Sequence, residues 1–592
     1  MQELKRTSGP CNCFQSVGTL HCLLSNEPIR SYADSAPPFL GAPRLTSKHH
    51  FEEQIFMPIV SKNSLHMAVN NVAKFGDTDI FPYPIDNHIL NDMPEATVSV
   101  LEQIDKNFDI AIKNLPVLTA RNLSVVGYSG FRWGTQIDPI WNIYLLSLVI
   151  SIAEEIESKR LSSEIVFSYR FKPDQSSGSL FDRSIGWHAF QGASVKHAQS
   201  HAYVLRCDIS DFYPRIYHHR LENALKKATN NGVVIKRIMT LLQSISDNVS
   251  YGLPVGGPAA RILSEILLNR VDRLLISESI TFCRFVDDYV IFSNTKEEAY
   301  SALICINDLL LANEGLSLQK TKTRIMTSKE FLSTSEFSTT EDGEPQVESE
   351  ERAFQRLRVY YDPYSQTAET DYEKLKEELS KFDIVGMLGR ELSKSRIDES
   401  LSKRLLSALK HLKPEVQNDA IKSLVHSFDL LYPIFPSVMM LCRGLLNTID
   451  ADAKEELFDK IRSLIKSKSY ITQVPTNLAY SLRVLSADPS EETEILLSNL
   501  YKQPLNMMIK RDVILMMAHR GADHWISNCR KSYSTLTVWE RRAMLISSYI
   551  LEDEGRHWRD SVKQDLNDYD KLVLQWASDS KQKAPGNWKV PV

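Results

Sequence analysis

Residues 284 to 292 read Arg284-Phe285-Val286-Asp287-Asp288-Tyr289-Val290-Ile291-Phe292. Adjacent carboxylates stand between two runs of β-formers, Thr281 to Phe285 and Tyr289 to Phe292, which predicts a hairpin with the acids at its tip. Ionised neighbours repel, so a tight turn carrying both is costly until a divalent cation offsets the charge. An exposed Asp-Asp turn between edge strands has the same local pattern. A second segment decides between the two. Tyr203 to Asp208 is an apolar strand ending on an acid and running through Ile209, Ser210 and Asp211 into Phe212 and Tyr213. A third carboxylate, on a separate strand, completes the set that two-metal nucleotidyl transfer needs. In that chemistry two cations sit ~3.5–4 Å apart, one lowering the pKa of the attacking hydroxyl and one holding the leaving pyrophosphate.

The chain around these segments has 592 residues, 43% of them hydrophobic, enough for two to four domains with real cores. A formal charge of −5 excludes a uniformly basic nucleic-acid coat and confines any polymer-binding surface to a local groove. Eight scattered cysteines form no disulfide framework and fit a reducing cytosol. Cys11, Cys13, His21 and Cys22 lack the spacing of a zinc knuckle, and the three cysteines read as unpaired thiols. No apolar core follows Lys5 and Arg6, and the run Ile143 to Ala153 is far short of a membrane span. A soluble cytoplasmic protein is expected.

Residues 1–75, broken by Pro37, Pro38 and Pro43, read as an extended arm. Apolar residues recur at helical spacing from Pro139 to Ile156. Val166 to Pro173 predicts a short strand with Arg170 and Lys172 on one face and aromatics on the other, which suits contact with a triphosphate and equally suits a solvated face. After Asp208, helices are predicted through His218 to Leu225 and Val233 to Ile245; the adjacent His218 and His219 point to different sides and cannot share one metal. Gly252-Leu253-Pro254-Val255-Gly256-Gly257-Pro258-Ala259-Ala260-Arg261 then forms a loop before a helix from Ile262 to Leu275, its glycines permitting close backbone approach to a ligand. Beyond the hairpin come a helix, Glu298 to Asn313, and a strand through Gly315 to Ile325. From that strand Lys322 can give a proton to departing pyrophosphate.

Taken in order, Asp208 with Phe212 and Tyr213, then Gly252-Leu253-Pro254-x-Gly256, then Phe285-Val286-Asp287-Asp288, then Gly315-Leu316-x-Leu318 with Lys322-Thr323, resemble motifs A to D of reverse transcriptases. The bacterial abortive-infection and defence-associated reverse transcriptases, the unknown groups, are the closer likeness. It extends to Gly76-Asp77-Thr78-Asp79-x-Phe81-Pro82, Tyr169-Arg170-Phe171, Gly186-Trp187, Leu263-Ser264-Glu265 and Tyr361-Asp362-Pro363-Tyr364-Ser365. The resemblance implies an α+β right-hand polymerase with fingers and palm over residues 76–330. Asp208, Asp287 and Asp288 would bind Mg²⁺, or Mn²⁺ in its place, with help from the Ile209 carbonyl. The backbone of Ser210, Asp211 and Phe212 would hold the triphosphate, Gly256, Arg170 and Lys172 would contact the dNTP, and Tyr213 would exclude ribonucleotides at the 2′ position. Val255 departs from the glutamine common in retroviral, retron and group II intron enzymes, which puts ordinary copying of a supplied RNA in question and leaves untemplated nucleotidyl transfer, or a catalytically silent RNA-binding scaffold, as alternatives.

The Ser/Thr-rich and acidic stretch within 331–370 predicts a flexible insertion and connector. From 371 to 592 strand signals vanish and amphipathic helices follow, among them Tyr372 to Phe382, Leu401 to Leu412, Pro414 to Phe428, Ala453 to Lys466, Glu491 to Tyr501 and Trp539 to Tyr549. Their pairing suggests an all-α helical-repeat domain of HEAT-like type. For the defence group the likeness implies antiphage function, DNA as product, protein priming from a tyrosine, an associated noncoding RNA, and a trimer, a hexamer or assembly with a partner protein. The chain's 22 tyrosines give no means of choosing the primer.

Overall fold

The computed structural model describes residues 58–334, 350–357, 374–375 and 377–592, all within one unit, Phe56–Val592. The cysteine cluster near the N-terminus, most of the acidic insertion and the Tyr361 to Ser365 motif lie outside the described residues. Four antiparallel strands make the central sheet, in the order β6-β7-β5-β8: β5 (Tyr203–Asp208), β6 (Thr281–Phe285), β7 (Asp288–Ser293) and β8 (Arg324–Thr327). Side chains alternate between its faces with period two. Leu205, Cys207, Phe282, Tyr289 and Ile291 join the main core, whereas Val204, Cys283, Val290 and Phe292 pack with Phe167 and Phe190 on the opposite face. Both faces are therefore covered, which is why these strands read as apolar runs and not as alternating ones. The helix Lys296–Glu314, opened by a Thr295–Glu298 capping box and closed by Gly315 at φ +70°, packs on β5 and β7, and the helix Trp187–Gln199 packs on β6 and β7.

Two smaller hairpins flank the sheet, β1 (Thr119–Val126) with β2 (Gly130–Ile137), and β3 (Phe171–Asp174) with β4 (Ser179–Phe181). The predicted strand from Val166 is thus interrupted. Val166 bridges Arg284, Ser168 turns inward to Glu265, Tyr169 takes φ +46°, and regular pairing starts only at Phe171. The predicted helix from Pro139 is also two helices, Pro139–Ile150 and Ala153–Lys159, bent by 49°. The first is buried on every side, so its apolar residues mark a core helix. No single helix among the described residues is long and apolar enough to cross a membrane, although that bent pair passes on length and composition.

The arm boundary at residue 75 also shifts. Lys62–Phe75 is a helix that sinks Leu65, Ala68, Val69 and Val72 into the main core, so the folded unit begins before the expected boundary. From Ile384 to Lys583 every regular element is helical, and the helices Glu399–Leu409, Pro414–His426, Ala451–Lys466, Glu491–Tyr501 and Val538–Ser547 match the amphipathic stretches within a few residues. This region is not a loose appendage. Arg542 and the Trp539 indole reach the fully buried Asp138, at 2.5 and 3.1 Å. The Tyr569 hydroxyl donates to Asp86 at 2.7 Å, and the Trp576 indole to Asp92 at 2.8 Å.

Candidate active site

Register brings the acids together. Asp208 is the last residue of β5 and pairs with Asp288, the first of β7, while Asp287 occupies the two-residue turn between β6 and β7. Ligand oxygens of Asp208, Asp287 and Asp288 all lie within 4.8 Å of one another. The turn is built under strain. Val286 sits at φ +58°, a conformation a β-branched residue rarely adopts. Two anchors hold it there: its N–H donates to the Ser168 hydroxyl at 2.9 Å, and its carbonyl accepts from Arg284 at 2.8 Å. Arg284 is itself buried and forms ion pairs with Asp272 at 2.7 Å and Glu265 at 3.0 Å, and Glu265 also pairs with Arg160 at 2.7 Å. Beneath the hairpin tip, then, lies a buried charge network that fixes where the carboxylates point.

Electrostatics mark the triad as incomplete without a cation. Burial, then repulsion from Asp208 and Asp288, pushes the Asp287 carboxyl up to about 7. Asp288 is raised as well, by burial and by Asp208. Lys322 reaches Asp208 at 2.8 Å. Partial burial alone would lower its ammonium, but the hydrogen bond to Asp208 and the charges of all three acids raise it. Lys322 stands in a turn before β8, not on a strand, because pairing with β5 begins only at Arg324. A donor set made wholly of carboxylate oxygens suits a hard divalent ion of the Mg²⁺ or Mn²⁺ kind.

The surrounding residues divide. Ile209 is tied to the hairpin, its N–H donating to the Asp287 carbonyl at 3.2 Å. Tyr213 is partly exposed, its hydroxyl within hydrogen-bonding reach of Ser264 and Tyr169. Asp211 adopts φ +48° and stays exposed, beside Arg215, whereas the Phe212 ring is buried. The Ser210 N–H is spent on the Ser317 carbonyl at 2.8 Å and is not open to a triphosphate. Arg170 corrects the expectation more sharply. It is buried, pairs with Glu157 at 3.2 Å and donates to the Leu161 carbonyl, so its charge serves the fold. Lys172 is exposed and paired with Asp182 at 3.0 Å. Gly256 does permit a close approach, but the visitor is the chain itself: a Cβ there would lie 2.3 Å from Thr78 Oγ1 and 2.6 Å from Asp79 Oδ1. His218 is buried, and its Nε2 lies 2.8 Å from the Gly252 carbonyl oxygen.

Sequence reasoning missed Arg261. From the first turn of the Pro258–Ser277 helix it pairs with Asp79 at 2.9 Å and lies 5.1 Å above the Tyr169 ring, next to Tyr213. Its place three residues after the second proline of the glycine-rich loop was the available signal. Beside that loop a cavity of about 260 Å³ is lined by Arg121, Trp133, Pro214, Tyr251 and Val255, and Trp133 and Tyr251 are more than half exposed, at 53% and 57%. Exposed rings beside an arginine suit stacked bases.

Residues 143–354 match the family model described as reverse transcriptase (RNA-dependent DNA polymerase). That segment is an RNA-directed DNA polymerase domain, a nucleotidyltransferase. All three acids, Tyr213, Arg261 and Lys322 fall inside it. Among solved structures, telomerase from Candida albicans in complex with a TWJ fragment of telomeric RNA is 12% identical, with a TM-score of 0.28, over 61% of this chain and 66% of that one. Apo telomerase from Candida tropicalis is 9% identical, with a TM-score of 0.29, over 72% of this chain and 73% of that one. This chain thus spans about two thirds of the first telomerase's length. Likeness that loose carries no argument about this polymerase. No curated protein matches the chain.

Proposed function

We propose that this polymerase makes DNA from dNTPs with two Mg²⁺ ions and acts in the bacterial cytoplasm as an antiphage defence enzyme. The observation that carries the catalytic part is the convergence of Asp208, Asp287 and Asp288 from two strands and one turn. Bound ions supply the charge that acidifies the attacking hydroxyl and neutralises the departing pyrophosphate. Asp208, Asp287 and Asp288 would hold them, with the Ile209 carbonyl. Tyr213, beside Ser264 and Tyr169, meets the sugar at its 2′ position. Lys322, already hydrogen-bonded to Asp208, gives its proton to pyrophosphate as it leaves. Arg261 takes the triphosphate role that the buried Arg170 cannot.

The defence assignment rests on the motif succession, including Gly76 to Pro82, which packs against Gly256. Protein priming, a noncoding RNA partner, a trimer or hexamer and a HEAT-like C-terminal repeat belong to the same proposal and rest on the same likeness. Val255 and the occupied approach to Gly256 also favour a second reading, untemplated addition of nucleotides. One experiment separates them. Purified protein is incubated with Mg²⁺ and labelled dNTPs, with and without ribonuclease, and the product is sequenced and tested for a covalent bond to protein. Ribonuclease-sensitive synthesis of a defined sequence supports templated copying. Resistant synthesis matching no input selects the second reading, and undiminished phage protection by an Asp287→Ala, Asp288→Ala variant would refute the defence role of the chemistry.

A further inference from the structure

Between the helices His218–Ala228 and Pro258–Ser277, at the C-terminal end of the Lys296–Glu314 helix, lies a cavity of about 660 Å³. It shares no lining residue with the carboxylate triad. Its rim is basic. Arg220, Lys227 and Arg270 are exposed, and none has a hydrogen-bond or ion-pair partner among the described residues. Lys226 and Arg273 add to the rim but are engaged, Lys226 with Glu222 at 2.6 Å and Arg273 with the Lys159 carbonyl at 2.7 Å. The floor is different. It is built from the buried Ala228, Ile266 and Leu267, and it carries two polar side chains, Asn269 and Glu314, only 9% and 8% exposed. Asn269 Oδ1 and Glu314 Oε2 are buried without a hydrogen-bond partner.

A buried acceptor left unpaired is satisfied once a donor reaches it. Here both face a volume within the ~300–1,000 Å³ range of small-molecule pockets. Burial holds the Glu314 carboxyl up at about 7 against the opposing pull of Arg220, Arg270 and Lys227, so those cations are near but do not neutralise it. A ligand that completes this cavity must therefore be apolar-faced and donor-rich at one end and anionic at the other. Guanine meets the first requirement, since its N1–H and N2 amino group present adjacent donors on one edge to a carboxylate and a carbonyl oxygen. Above pH 7, with Glu314 ionised, adenine and cytosine each offer one amino group beside an acceptor, which would face Glu314 Oε2 lone pair to lone pair.

We propose that this cavity is a second nucleotide site, separate from the polymerase centre, which takes a guanosine nucleotide with its base on Asn269 and Glu314 and its phosphates on Arg220, Lys227 and Arg270. The test is equilibrium dialysis of the full-length protein against tritiated GDP in EDTA, conditions that remove divalent ions from the triad. One GDP is expected per chain, bound at least tenfold more tightly than ADP. The exposed triple exchange Arg220→Ala, Lys227→Ala, Arg270→Ala should weaken GDP at least tenfold. Glu314→Gln should weaken GDP by a similar factor while leaving the affinity for inorganic pyrophosphate unchanged. Single Lys227→Glu on the surface gives the same readout should the triple variant fail to fold. Failure of the wild type to bind GDP, equal affinity for ADP, retention of GDP by the rim variants, or loss of binding in Asp287→Asn would each overturn the assignment.

Discussion

At the scale of single residues, Asp287 reports the state of the triad. Its folded pKa of about 7 stands above the ordinary carboxylate value of 3.8, so ionising it opposes folding. In the metal-free protein, stability is expected to fall as pH rises from about 4 and to level off above about 7, where the group is ionised in both states. Buried Asp77, held up at about 6, and Glu314, at about 7, act in the same direction. The Asp287 share is the difference between wild type and Asp287→Asn in thermal melts with EDTA from pH 5 to pH 8, with the variant showing the shallower decline. Added Mg²⁺ or Mn²⁺ should reverse the loss and release protons below pH 7. Lys322 makes a kinetic prediction. If it protonates pyrophosphate, Lys322→Ala lowers the single-turnover rate by about a hundredfold with little change in dNTP affinity, and the alkaline limb of the pH–rate profile disappears.

At the scale of elements, the hairpin depends on a cation that never meets substrate. Arg284 has a side chain 1% exposed between Asp272 and Glu265, both also 1% exposed. Arg284→Met leaves Asp272 without its ion pair and should cost roughly 3–5 kcal/mol in chemical denaturation, with incorporation lost at temperatures where the chain is still folded. This element also shows what a sequence can and cannot carry. The strands β5, β6 and β7 were legible because apolar runs with turn residues between them specify buried strands locally, and two of the acids are neighbours in the chain. Arg170 and Arg284 were not. An arginine on a strand looks identical whether it faces solvent, a phosphate or a buried acid, and here the deciding partners, Glu157, Glu265 and Asp272, come from helices elsewhere in the chain. Gly256 was legible as a point of close approach, but the approaching group, Thr78, is 178 residues away in sequence and could not be named.

Across the whole molecule, the helical C-terminal region and the polymerase segment share buried polar contacts. Asp138, 1% exposed, accepts from both Arg542 and Trp539, while Tyr569 and Trp576 fasten Asp86 and Asp92 in the same part of the fold. Asp138→Ala leaves the buried Arg542 with Asp570, at 2.8 Å, as its ion-pair partner among the described residues, and is expected to destabilise by about 3–5 kcal/mol. Calorimetry and hydrogen exchange should show the polymerase segment and the C-terminal helices unfolding in one transition, and Asp138→Ala should split it. Two well-separated transitions in the wild type would mean that these contacts do not couple the parts. The helices themselves were readable from their amphipathic spacing, but their docking partners were not, since Asp138 and Arg542 are joined only in three dimensions.

The most direct measurement is the rate of labelled dNTP incorporation by purified wild type and by Asp208→Asn, compared at equal folded concentration in saturating Mg²⁺. Convergence of three carboxylates on the metal site predicts a loss of at least a hundredfold, about 2.7 kcal/mol of barrier, with no fall in the melting temperature of the metal-free protein. Incorporation at the wild-type rate by Asp208→Asn would contradict it.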